Sequence, residues 1–175
     1  MNGGVIVWVC RAGKDAVHYN YCLDHSCVVL AWDGFIVDLS KYTNKNDFRN
    51  LVSNEMQTSN RTSISNWTGQ LIAFSKDMQI GDYVLIPARN SSSFTITRIK
   101  SEYLYRPDNE KGLVHQRRAD ILLRDVPKTI FSQDIQYGLR AYRTVYRVKQ
   151  EELILKTIAD WEKKNGGSKT WPELI

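Results

Sequence analysis

Two short runs set the terms on which this chain can fold: "VIVWVC" at 5–10 and "CVVLAW" at 27–32. Each is unbroken apolar sequence rich in β-branched residues, carries a tryptophan, and stops at a polar turn, "RAGK" in one case and "DG" in the other. A half-exposed strand alternates apolar and polar residues. A strand without alternation is covered on both faces. The chain therefore needs material above and below its sheet, and 175 residues is enough for one such domain.

The remaining segments supply that material. Residues 14–26, "KDAVHYNYCLDHS", place Val17, Tyr21 and Leu23 at helical spacing, and "TNKNDFRNLVSNEM" at 43–56 puts Phe48, Leu51 and Val52 on one helical face. "SNRTSISN" at 59–66 is polar enough to be expected as an exposed loop. Residues 67–88 read as a helix, a Gly81-Asp82 turn and a strand, and 93–106 alternate as a strand. After the loop "PDNEKG", "HQRRADILLRDV" is a strand, "FSQDIQYGLR" a helix and "TVYRV" a closing strand or an extended end. The expected class is α+β: a strongly curved mixed sheet or partial barrel of five or six strands, flanked by helices. Residues 1–149 form the expected domain. Residues 150–175 form a tail whose amphipathic helix leads out of that domain.

Composition narrows the function classes. No apolar run reaches the roughly 20 residues that span a bilayer, and "MNGGVIVWVC" does not read as a secretion leader. Three cysteines, Cys10, Cys22 and Cys27, without C-x-x-C spacing fit buried free thiols in a reducing, cytoplasmic setting. Net charge is +5, and residues 95–149 hold twelve Lys/Arg against six Asp/Glu. A basic excess so concentrated is the footprint of a polyanion binder. Arg98, Lys100, Arg117, Arg118, Arg140 and Arg143, with Lys14, are the candidates for contacting a DNA backbone.

Catalytic signatures are sparse. "PDNEK" at 107–111 crowds its carboxylates and lysine into one loop, and "WEKK" at 161–164 places them on a tail helix; neither has the strand-borne layout of a metal nuclease. His18, His25 and His115 have no Ser or Cys partner at a recognisable spacing, and "GVIVWVCRAG" is no phosphate loop. No catalytic residue, cofactor or metal is expected.

Aromatic residues recur near the ends of the expected elements: Trp8, Trp32, Trp67, Tyr103 and Tyr105, near Arg11, Asp33, Asn66, Glu102 and Arg106. Flat apolar walls with a few polar groups are what a pocket for an extruded base requires. Trp8 lies within its strand and is assigned to the core.

The succession "W-V-x-R-A-G-K", "V-V-L-A-W", "W-T-G-Q-L-x-x-F", "M-Q-I-G-D-Y-V-L-I-P", "I-T-R-I-K-S-E-Y-L-Y" and "H-Q-R-R-A-D-I" resembles the N-terminal domains of modification-dependent restriction proteins of the Mrr-like and McrB-like kinds. Those are similar to the PUA-like superfamily, whose EVE, YTH and SRA members hold a flipped or unpaired modified base in an aromatic pocket. The resemblance covers roughly residues 4–148. It implies a prokaryotic targeting module that binds modified double-stranded DNA for a nuclease or motor domain or subunit. It also implies a base pocket walled by Trp32 and Trp67, with Arg11 and Asp33 reading the base edge; Tyr103 and Tyr105 are further candidates. Ala31 stands where that family usually has glycine. Two other expectations are carried forward: a compact nuclease or RNA-processing enzyme, which would alter nucleic acid with Mg²⁺, and a reader of unmodified sequence.

Overall fold

The computed structural model describes residues 4–167. The expected class is the observed one, α+β with a curled mixed sheet. In chain order the strands are β1 (Val7–Cys10), β2 (Cys27–Val29), β3 (Tyr83–Pro87), β4 (Ser93–Ile99), β5 (Leu104–Tyr105), β6 (His115–Pro127) and β7 (Val145–Arg147). The helices are α1 (Tyr19–His25), α2 (Lys45–Met56), α3 (Arg61–Ile72), α4 (Gln133–Gly138) and α5 (Glu151–Lys164). Six strands run in the order β2-β6-β4-β3-β1-β7, with β5 paired to β6; the β1–β3 pairing is parallel and the others are antiparallel.

The long strand β6 produces the curl. Its first residues pair with β2 and β5, and its later ones pair with β4 across two register shifts near Ile96. Such bulges add twist and bend the sheet. The first unbroken run is explained by two cores, one on each face, whereas every residue of the second, 27–32, packs in only one of them. Trp8, Cys10, Val84 and Ile86 point to a core shared with Cys22, Phe48, Leu51, Val52 and Leu71 of α1, α2 and α3. Their sequence neighbours Val7, Val9, Tyr83 and Leu85 point the other way, into a core closed by Ile135 of α4 and by Ile154, Leu155 and Ile158 of α5. Alternate residues of one strand thus serve different cores, so no position could be polar.

Two expectations need correction. Residues 59–66 are largely helical: the Asn60 side chain accepts a hydrogen bond from the Ser63 backbone N–H and caps α3. Ile64, Trp67 and Leu71 then fall on one side of that helix and pack on the first core. The tail helix does not simply lead away, because α5 buries its apolar face against the sheet. The last part of the tail, 168–175, lies outside the described residues. No helix among the described residues is long and apolar enough to cross a membrane.

Candidate functional site

A cleft of about 390 Å³ opens where β1, β2 and β3 end. Its lining comes from the "RAGKDA" loop at 11–16, from Ala31 and Trp32 after β2, from the Pro87–Ser91 end of the β3–β4 hairpin, and from Thr144 before β7. Gly13 turns the first loop at φ 84°, and a Cβ there would come within 2.9 Å of Val17 Cγ1. Asp15 and Ala16 both sit at φ 53°, and Ser91 across the cleft sits at φ 54°. Left-handed backbone at non-glycine residues costs energy and clusters where a ligand site requires it. Three such positions, with Gly13 beside them, border this one hollow.

Thr144 ties the site together. Its hydroxyl accepts from Trp32 Nε1 at 3.0 Å, its carbonyl accepts from the Arg11 N–H at 2.9 Å, and its own N–H donates to Gln70 Oε1 at 2.8 Å. Gln70 also accepts from the Val145 N–H, so one buried amide of α3 anchors the approach to β7. The indole of Trp32 is therefore fixed in orientation, and it forms part of the cleft wall with 9% of its surface accessible.

The rim is basic. Arg11, Lys14 and Arg89 line the cleft against the single carboxylate Asp15. Beyond it, burial first, and then Arg140 and Arg11, hold the Lys128 ammonium below its ordinary value, which marks three cations drawn close together. The Lys128 N–H donates to the Ser92 carbonyl, so this cluster adjoins the hairpin that carries Arg89. A second hollow of about 730 Å³ lies on the other side of the 143–145 segment, with Arg61, Arg143 and Arg147 on its walls.

The expected base-pocket residues divide. Arg11 and Trp32 belong to the cleft. Trp67 does not: its ring centroid is 4.4 Å from that of Trp32. A base held between two walls needs them about 7 Å apart, twice a carbon–carbon contact distance. The two indoles touch each other and, together with Phe35, form an aromatic cluster at the core edge. Asp33 is exposed outside the cleft. Arg11 already donates to the Arg143 and Ala141 carbonyls, both at 3.2 Å, so much of its donor capacity is spent on the neighbouring loop.

Tyr103 and Tyr105 also lie outside the cleft, in a partly buried group of polar contacts. The Leu39 N–H donates to Tyr103 Oη, which bonds His115 Nδ1 at 2.7 Å, and His115 Nε2 bonds the Phe35 carbonyl. Since a carbonyl only accepts, Nε2 carries the proton and Nδ1 accepts from the tyrosine. Burial holds the His115 imidazole below its ordinary value, hence neutral, and pushes the Tyr103 hydroxyl up. Tyr105 Oη donates to the Ile36 carbonyl. This group fixes the 35–39 segment behind the tryptophans.

The expected backbone cations divide too. Lys14 lines the cleft, Arg140 is exposed beside Lys128, and Arg143 is exposed on the second hollow. Arg118 and Lys100 border a different hollow, near Tyr21 and His25, where Lys100 pairs with Asp120 at 3.1 Å. Arg98 donates to the Gly81 carbonyl and lies over the Tyr83 ring. Arg117 cannot touch a phosphate: it is fully buried, donating from Nε to the Phe74 carbonyl at 2.8 Å and from Nη1 to the Ser101 carbonyl at 3.1 Å. Sequence reading missed Arg89 and Lys128, which join the site only because the hairpin and the end of β6 meet there. Among the described residues, no group of His, Cys, Asp and Glu could hold a metal ion.

These features describe a domain with an aromatic-walled, cation-rimmed cleft at the open ends of a curled sheet. The chain belongs to the family described as Domain of unknown function (DUF8426), which matches residues 8–149. That span runs from Trp8 in β1 to just past β7, so it holds every residue of the cleft and leaves out α5. No curated protein matches the chain.

Proposed function

We propose that this chain is a DNA-recognition module of PUA-like kind, holding an extruded modified base against Trp32 and directing a restriction or defence effector to its target. The observation that carries the reading is the cleft: an oriented indole beside Arg11, Lys14 and Arg89, in a hollow bordered by strained backbone. An indole face stacks on a base, cations balance the flanking phosphates, and exposed loop amides can meet a base edge. The volume of about 390 Å³ falls within the range of small-ligand sites. The pocket has one aromatic residue, Trp32, and the rest of its lining comes from the 11–16 loop, Ala31, the Pro87–Ser91 hairpin and Thr144. The sequence resemblance to modification-dependent restriction proteins points to the same class of ligand.

Fluorescence anisotropy with three duplexes of one sequence, carrying 5-methylcytosine, N6-methyladenine or no modification, tests the proposal. Tighter binding to one modified duplex is expected. Trp32→Phe should narrow that preference, and Lys14→Ala combined with Arg89→Ala should weaken all three complexes together. Equal affinity for the three duplexes would leave at most a non-specific DNA binder, and no binding would remove the reading.

A further inference from the structure

Tyr142 is an aromatic side chain with no shelter. Its side chain is fully exposed, at 107% of the reference area, while the residues around it are anchored. On one side Ala141 packs on the second core, and on the other Thr144 is bonded to Trp32 and Gln70. Between them the Arg11 guanidinium grips the carbonyls on both sides of Tyr142, those of Ala141 and Arg143. A partly buried network thus presents an exposed ring from a braced loop. Exposed cations, Arg140 and Arg143, stand two residues before it and one after it.

Single exposed apolar residues are common and by themselves mean little. Three features set this one apart: its loop is clamped by a cleft residue, cations flank it, and it lies two residues before Thr144, which lines the cleft. The positive charge selects a polyanion as what covers the ring. A duplex that gives up one base to the cleft has an unstacked gap a short distance away, and inserted side chains can fill such gaps.

We infer that Tyr142 enters the DNA stack at the position vacated by the base that the Trp32 cleft holds, with Arg140 and Arg143 on the adjoining phosphates. This rests on the proposed function, and it adds the residue that stabilises the opened duplex. Arg11 joins the two events: it lines the cleft and also holds the loop that presents Tyr142.

The test compares wild type, Tyr142→Ala, Tyr142→Phe and Trp32→Phe on the modified duplex that wild type prefers and on its modified strand alone. A single strand has no gap to fill. Tyr142→Ala should weaken duplex binding roughly 10-fold, the loss of one stacking partner, and change single-strand binding by no more than about twofold. Tyr142→Phe should match wild type on both. Because the side chain is exposed, the melting temperature should not move. Equal losses on duplex and single strand would make Tyr142 an ordinary contact and overturn the inference. Unchanged affinity on both would also overturn it, and would leave the ring to a protein partner. If Trp32→Phe erases the preference for the modified base while Tyr142→Ala does nothing, the inference falls and the cleft reading stands. If wild type binds no duplex, both fall.

Discussion

Arg117 gives the sharpest contrast between a ligand contact and a structural one. Its guanidinium lies at 0% exposure under β6, bonded to the Phe74 carbonyl in the π-helical turn that follows α3 and to the Ser101 carbonyl. Burial lowers its affinity for the proton, while Glu102 and Asp82 act in the opposite sense, and the group stays charged at neutral pH. Arg117→Ala removes the donor from the buried Phe74 carbonyl, at about 1–3 kcal/mol for an acceptor left unsatisfied. The half-buried Ser101 carbonyl can recover its loss from water. Deleting the aliphatic stem leaves a cavity costing about 2 kcal/mol, the low end of core truncations. The sum is about 3–5 kcal/mol. Arg117→Met keeps most of the volume and also relieves the buried Nη2, which has no hydrogen-bond partner, so it should cost clearly less. Urea unfolding followed by tryptophan fluorescence measures both, beside DNA affinity at a temperature where each variant is folded. A stable Arg117→Ala with sharply weakened DNA binding would refute this reasoning and return Arg117 to the surface.

The His115 imidazole is held below its ordinary value in the folded chain, so the unfolded chain takes up the proton first as pH falls. Its contribution to stability is complete above about 6.5 and is lost as pH falls below that toward the folded value; His115→Gln should flatten the change between pH 7 and 5 in the urea midpoint. Cys10, Cys22 and Cys27 are free and buried; burial pushes the Cys10 thiol up to about 12, and the bond between Cys22 and Cys27 raises Cys22 and lowers Cys27, which lines the hollow near Tyr21, so a thiol reagent should modify Cys27 first and reach Cys10 and Cys22 only on the timescale of unfolding. Asp82 accepts from Trp8 Nε1 and from the Gln79 N–H, both at 2.9 Å, and Asp82→Ala should cost about 1–3 kcal/mol in the same urea assay. If about four of Lys14, Arg89, Lys128, Arg140 and Arg143 meet phosphates, log K should fall with log salt at a slope near −3.6; an affinity indifferent to salt would exclude a backbone-contacting surface.

The sequence alone determined what local pattern controls. The unbroken run at 5–10 required cover on both faces and two cores supply it, while the run at 27–32 is buried throughout in one core. The apolar face of 43–56, the Gly81-Asp82 turn and the closing strand at 145–147 are where period and turn chemistry place them. Trp8 was legible as core because an in-strand position alternates with its neighbours. The helix at 61–72 was partly hidden because Ser, Thr and Asn dominate its first turns, although the Asn60 cap and the Ile64, Trp67 and Leu71 spacing were there to read.

The composition of the site was a tertiary matter. Trp32 and Trp67 are 35 residues apart, and nothing local reveals that their rings would touch rather than face each other across a gap. Arg117 and Arg118 are adjacent, yet the strand's alternation buries one and exposes the other. Which of them goes inward depends on where the Phe74 and Ser101 carbonyls arrive. Arg89 joins the cleft rim, with Lys128 beyond it, because a hairpin and the end of β6 converge. A one-dimensional charge count could locate the basic excess but not the surface it covers. Charge and hydrogen-bond partners are matched through space, over separations that only the closed sheet sets.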